Sequence, residues 1–232
     1  VPENEEGPSG CSHSGLGGVQ FRLPCQLTAD EYTSQRFWEQ ASLQSCPLHP
    51  DGGCGFCRHT PYERVEPPGT RIARWRCPRH RVTFSLLPDC LASGVKGSLR
   101  DIEAAVDKAE RRDGSLEELA ANLRPSSEAD PDSDHVAGTL KWLRRRRRWV
   151  TAALTLALPL LRTRLAGREP TLDDFRAALD VEHVLESLRS LLEDHLAHLP
   201  LPFGFGPRSS SRNCSASSLQ QGMGPDPPPP IS

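Results

Sequence analysis

Two short pairs, Cys46-Pro-Leu-His49 and Cys77-Pro-Arg-His80, constrain this chain more than any other feature. Two residues separate the members of each pair, so one tight turn can aim both side chains at one point. Two such turns supply a tetrahedral metal site. Thiolate and imidazole together favour zinc. Between the pairs lie TPYERVE and TRIARWRC, divided by Pro67-Pro68-Gly69. That pattern predicts a β-hairpin. The arrangement reads as a zinc ribbon ligated by Cys46, His49, Cys77 and His80. Residues 46–90 hold five of the eight cysteines but few apolar side chains. A bound metal would therefore supply much of the segment's folding free energy. Cys54-Gly-Phe-Cys57 is a further pair, with His59 beside it, so Cys54, Cys57 and His59 stand as alternate ligands. A thioredoxin-type role for Cys54 and Cys57 would need a helix start after a strand, and none flanks them.

Composition sets the outer limits. Apolar residues are 36% of 232, with 22 prolines and 18 glycines, so the core does not extend over the whole chain. The longest apolar run, Trp149 to Leu161, contains Pro159. It is shorter than the ~20 residues of a membrane-spanning helix. The first residues are polar, with Glu3, Glu5 and Glu6, and show no secretory signal. A cytoplasmic location with reduced thiols is the expectation. Val1 at the start, with Met223 as the only methionine, reads as a non-AUG start codon or a fragment.

Residues 1–27 read as a disordered lead-in and 207–232, ending in PPPPIS, as a disordered tail. Residues 28–95 form the ribbon-like domain, opened by a short helix capped by Thr28. Residues 96–206 read as an all-α domain. Ser98 caps a helix whose Leu99, Ile102, Val106 and Ala109 share a face. Asp113-Gly114 breaks it. Ser115, with Glu118 three residues on, opens a second helix through a capping box. After the polar loop RPSSEADPDSD comes a long helix with Val136, Leu140, Leu143, Val150 and Leu154 on one stripe, ended or kinked by Pro159. Pro170-Thr171 opens another, and VEHVLESLRSLLEDHLAHL reads as the last. The expected fold class is thus α+β: a β-hairpin zinc ribbon, an arginine-rich helical domain, and disordered termini.

The net charge of −2 hides a segregation. Residues 58–81 carry seven arginines against two glutamates, and 141–168 carry Lys141 and eight arginines with no acid. The arginine fork suits phosphate and guanine edges. The second and third helices of the helical domain make a helix-turn-helix candidate. Consecutive Arg144, Arg145, Arg146, Arg147 and Arg148 wrap the whole helix, so they cannot all face DNA. Some must be solvated or must neutralise acids on the preceding helices. The loop before them is about three times the usual motif turn. Arg71, Arg74, Arg76, Lys141 and Arg144 to Arg148 are the candidate nucleic-acid contacts. Trp142 and Trp149 read as packing residues, and His195 and His198 as surface ones. No catalytic metalloprotease, deaminase, P-loop or hydrolase motif is present. Asp173, Asp174 and Glu182 lack the sheet that a two-metal nuclease site needs. No enzyme is expected.

RWRCPRHRVTFSLLPDCL and HTPYER resemble the zinc-ribbon domains associated with bacterial transposases, over about residues 46–92. In that uncharacterised family the ribbon precedes a helix-turn-helix. The resemblance implies that Cys46 and His49 occupy the first knuckle, and Cys77 and His80 the second. His49 and His80 stand where the family more often has Cys, and Arg81 where Gly usually follows. It also implies DNA association and mobile-element ancestry, without catalysis. The expected function is a zinc-binding DNA-binding protein of transposon-derived or regulatory type. The alternative is a zinc-stabilised protein-interaction module, with the helices from Val150 to Leu199 against a protein partner.

Overall fold

The computed structural model describes residues 18–111, 115–123 and 134–206. The tail at 207–232 expected to be disordered, most of the expected lead-in, Asp113-Gly114 and most of the polar loop lie outside the described residues. Side chains are described within these ranges except at 121–123 and 134–136. The class is α+β: a four-stranded sheet and a set of helices.

The expected hairpin is present. β2 (Cys57–Glu63) and β3 (Arg71–Cys77) pair antiparallel, with an irregularity between His59 and Tyr62. Two more strands extend it. β4 (Val82–Pro88) pairs antiparallel with β3, and β1 (Val19–Leu23) pairs parallel with β4, giving the order β1-β4-β3-β2. The lead-in therefore does not continue to residue 27. Gly, Pro and Ser thin out after Gly18, and Val19, Phe21 and Leu23 alternate with polar residues. That alternation suits an edge strand, although its partner lies more than sixty positions away. Thr28 caps α1 (Ala29–Ser34) with a complete capping box to Glu31, as its sequence indicates. Tyr32 of α1 and the following Trp38 pack on the sheet with Ile72, Trp75, Phe84 and Leu86.

A second core is helical. Ser98 caps α2 (Leu99–Glu110), whose Leu99, Ile102 and Val106 are buried as their spacing predicts. α3 (Leu116–Leu123) and α2 both pack against α4 (Asp134–Ala157). Pro159 ends α4 in a 3-10 turn, and α5 (Arg162–Leu165) follows. Thr171 caps α6 (Leu172–Leu179). The last expected helix is shorter than its periodicity suggests: α7 (Val184–Leu191) gives way to a 3-10 turn at Glu193–His195. From there the chain folds back under its own helix. A Cβ on Gly204 would lie 2.1 Å from the Leu199 carbonyl oxygen, so only glycine allows this return.

The two cores are joined through the segment after β4. Arg189 of α7 is fully buried and donates to the carbonyls of Pro88 (2.9 Å), Asp89 (3.2 Å) and Leu91 (2.5 Å). The Ser93 amide donates to Pro202 at 2.7 Å, and Phe205 packs on both cores. Among the described residues no helix is long and apolar enough to cross a membrane.

Candidate metal centre

Four ligating side chains converge at the end of the sheet. The Sγ atoms of Cys46, Cys54 and Cys77 and a ring nitrogen of His49 all lie within 4.8 Å of one another. His49 Nδ1 is 3.6 Å from both Cys46 Sγ and Cys77 Sγ. This is a possible metal-binding site, with three sulfurs and one nitrogen.

Local backbone explains the convergence. Cys46 and His49 face each other across a tight turn, closed by the His49 amide donating to the Cys46 carbonyl at 3.0 Å. Gly52, Gly53 and Gly55 then adopt positive φ, at 87°, 77° and 71°. These left-handed steps reverse the chain and carry Cys54 back inward before β2 begins. Cys77 arrives as the last residue of β3. The turn to β4 is closed by the Arg81 amide donating to the Pro78 carbonyl at 3.2 Å. Arg81 holds φ at 55°, the left-handed conformation for which glycine is the usual residue.

The structure places Cys46, His49 and Cys77 as the paired motifs suggest, and takes the fourth corner from the alternate Cys54. His80 lies outside the quartet, exposed, with its ring stacked on His49 at 4.8 Å between centroids. Cys57 is exposed at the start of β2, and His59 is half-buried within that strand. Cys54 is buried in the quartet and Cys57 exposed, and a strand follows them rather than a helix.

The electrostatics suit ligation. Burial, with His80 and Arg79 nearby adding to it, holds His49 below its ordinary pKa, which favours the neutral form that binds a cation. Burial opposes ionisation of Cys46. The backbone amides of Leu48 and His49 and the thiols of Cys54 and Cys77 outweigh it and lower that thiol's pKa. Burial and the same thiol neighbours push Cys54 up. Cys46 thus ionises more readily than Cys54, and a bound cation would ionise the ligating thiols.

The arginine run divides by direction. Arg144 pairs with Glu117 of α3 at 3.2 Å, and Arg147 approaches Glu110 of α2 at 3.8 Å. Arg146 is buried with its guanidinium 3.6 Å from the Trp142 ring centroid. Trp142 is thus a packing residue, as expected. Arg145 and Arg148 point outward with Lys141, and these three make no ion pair among the described residues. On β3, Arg74 and Arg76 share one face, with Arg74 over the Tyr62 ring at 5.7 Å. Arg71 stands exposed at the strand's first position.

No family model, curated protein or solved structure matches the chain. The family resemblance rests on the quoted residues alone.

Proposed function

We propose that the chain is a zinc-stabilised DNA-binding protein, of regulatory or transposon-derived type and without a catalytic domain. The observation that carries the zinc reading is the sulfur–nitrogen spacing. A tetrahedral ion with bonds of about 2.3 Å to sulfur and 2.0–2.1 Å to nitrogen separates those two ligand atoms by roughly 3.6 Å. His49 Nδ1 stands 3.6 Å from each of two thiol sulfurs. A Cys3His set of that size suits zinc over the harder oxygen-seeking cations.

The DNA reading is supported by the outward stripe of α4. Lys141, Arg145 and Arg148 lie at i, i+4 and i+7, on one helical face. Arg144 and Arg147 are turned to acids instead. Phosphate contacts by the stripe would make affinity fall with salt, by about 0.9 per neutralised phosphate in log–log slope. The test is fluorescence anisotropy of the zinc-loaded protein on random-sequence duplex DNA across a salt series. The triple variant Lys141→Gln, Arg145→Gln, Arg148→Gln should flatten that slope by about 2 to 3 units. Arg144→Gln with Arg147→Gln should leave it nearly unchanged. Absence of binding, or an unaltered slope in the triple variant, would remove α4 from a DNA interface.

A second reading has its own observation. Leu156 near the end of α4 and Leu160 in the 3-10 turn after it are 51% and 40% exposed. A face that runs from basic to apolar also suits a protein partner. Capture of that face by excess acidic protein, with loss of DNA binding, would favour the interaction module.

A further inference from the structure

The β1–β4 pairing has a consequence beyond the metal centre. Its parallel register ends at Leu23 opposite Pro88. Two residues further along each chain stand Cys25 and Cys90. The chains remain side by side there, because the Cys25 amide donates to the Asp89 carboxylate at 3.3 Å. Asp89 is itself fixed by two bonds from Arg22, at 2.8 and 2.9 Å. Adjacent strands lie about 4.8 Å apart. A disulfide bridges Cα atoms about 4.4–6.8 Å apart. Each thiol is the largest influence on the other's ionisation, as neighbours across the seam would be. Neither belongs to the metal quartet. Cys90 is buried and Cys25 half-buried, so a small oxidant reaches Cys25 first.

We propose that Cys25 and Cys90 are a redox site, a dithiol that a hydroperoxide converts into a disulfide across the β1–β4 seam. The Cys25 thiolate attacks the terminal peroxide oxygen. The O–O bond breaks, and the departing alkoxide takes the proton that Cys25 released and leaves as the alcohol. Cys25 is then a sulfenic acid. The Cys90 sulfur attacks the Cys25 sulfur, the S–S bond forms, and the S–O bond breaks. Hydroxide leaves with the Cys90 proton as water. Two thiols are oxidised by two electrons, and the peroxide is reduced to alcohol and water. The lowered pKa of Cys25 supplies the attacking thiolate, and Cys90, beside it at the end of the β1–β4 register, is placed to resolve it. The new bond closes a covalent ring over residues 25–90, which contains all four residues of the metal quartet. Oxidation would therefore keep β1 joined to β4 when the metal is lost.

The test uses the full, zinc-loaded chain with hydrogen peroxide as the oxidant, followed by alkylation of remaining thiols. Trypsin cuts after Arg22 and Arg36, and after Arg81 and Lys96, so Cys25 and Cys90 fall in separate peptides, each with no other cysteine. Mass spectrometry of the unreduced digest should show these two peptides linked, and dithiothreitol should release them. In Cys90→Ala, dimedone should label Cys25 after peroxide treatment. Full alkylation of both cysteines after peroxide exposure would overturn the proposal. So would a bridge from either to another cysteine. The wild-type digest decides the matter even where the variant folds poorly.

Discussion

The Arg189 Nε donates to the Phe203 carbonyl at 2.9 Å, inside the seam between sheet and helices. The same guanidinium reaches the carbonyls of Pro88, Asp89, Leu91 and Pro202. Burial pulls its pKa down to about 10, with Asp89 and other nearby groups opposing the fall, so it stays charged at neutral pH. Its three nitrogens serve five backbone carbonyls, of which only Pro202 and Pro88 also accept from amides, those of Ser93 and Leu91, among the turn and loop bonds. Arg189→Met should therefore cost more than its lost charge. The expected loss is about 3 kcal/mol or more, seen as a urea midpoint lower by about 1 M. Arg189→Lys should recover little, because an ammonium cannot reproduce the fork. A midpoint unchanged in Arg189→Met would mean that the seam is satisfied by other donors.

The metal centre separates two ligand sets by experiment. Cys54→Ser should lower zinc content and abolish the protection that zinc gives against thermal unfolding. His80→Ala should retain about one zinc per chain, because its ring only stacks on His49. Elemental analysis of both purified variants, beside a chelator titration followed by circular dichroism, reads the difference. Loss of zinc in His80→Ala with retention in Cys54→Ser would restore the paired-motif quartet.

That reversal shows what the sequence could convey. The spacing of Cys46, His49 and Cys77 announces tight turns, and those turns exist. Nothing in the spacing says which of Cys54, Cys57 and His80 closes the site. The choice is made by positive-φ steps at Gly52, Gly53 and Gly55, on both sides of Cys54, a conformation that a glycine permits and does not require. The helices of the C-terminal half were legible because their apolar faces repeat every three to four residues. β1 was hidden because five residues that pair with a distant strand leave no periodic signal of length. Arg189 was hidden for another reason. A charged residue on a helix reads as solvent-facing, and only tertiary structure brings five carbonyls around it.

Glu103 is a second inward charge of that kind. It sits on α2 and is almost wholly buried. Its carboxylate accepts from the amides of Val184 at 3.1 Å and Leu185 at 3.0 Å, at the start of α7, and from Arg176 at 2.9 Å. Helix starts favour a negative group, and two amides there have no partner within their own helix. Glu103→Gln should destabilise by about 2 kcal/mol, since one amide oxygen cannot serve three donors and its NH2 then faces at least one of them. Hydrogen exchange is the sharper measure. The Val184 and Leu185 amides should exchange faster in the variant, while strand amides such as Phe84 slow or hold. Equal exchange at Val184 would show that another acceptor holds the helix start.

Cys25 gives a prediction in pH. The interaction with Cys90, which acts as the donor, is the largest influence on its thiol; burial opposes it, and backbone groups of Asp89 and Leu27 assist, bringing the pKa to about 7. Cys90 is pushed the other way, by donating that bond and by burial. The first proton lost by the pair therefore leaves mainly from Cys25. Thiolate is the reactive form, so iodoacetamide labelling of Cys25 should rise with pH and level off, with its half-point near 7. Cys90 should stay unlabelled across that range. An unfolded thiol titrates near 8.5, so between about 7 and 8.5 the folded chain has released a proton that the unfolded chain keeps. This group's contribution to stability is thus lost as pH falls through 7 and grows toward 8.5. Cys90→Ala removes the donor and should move the labelling half-point up toward the ordinary thiol range. A half-point already near 8.5 in the unaltered chain would mean that the two thiols do not share a hydrogen bond.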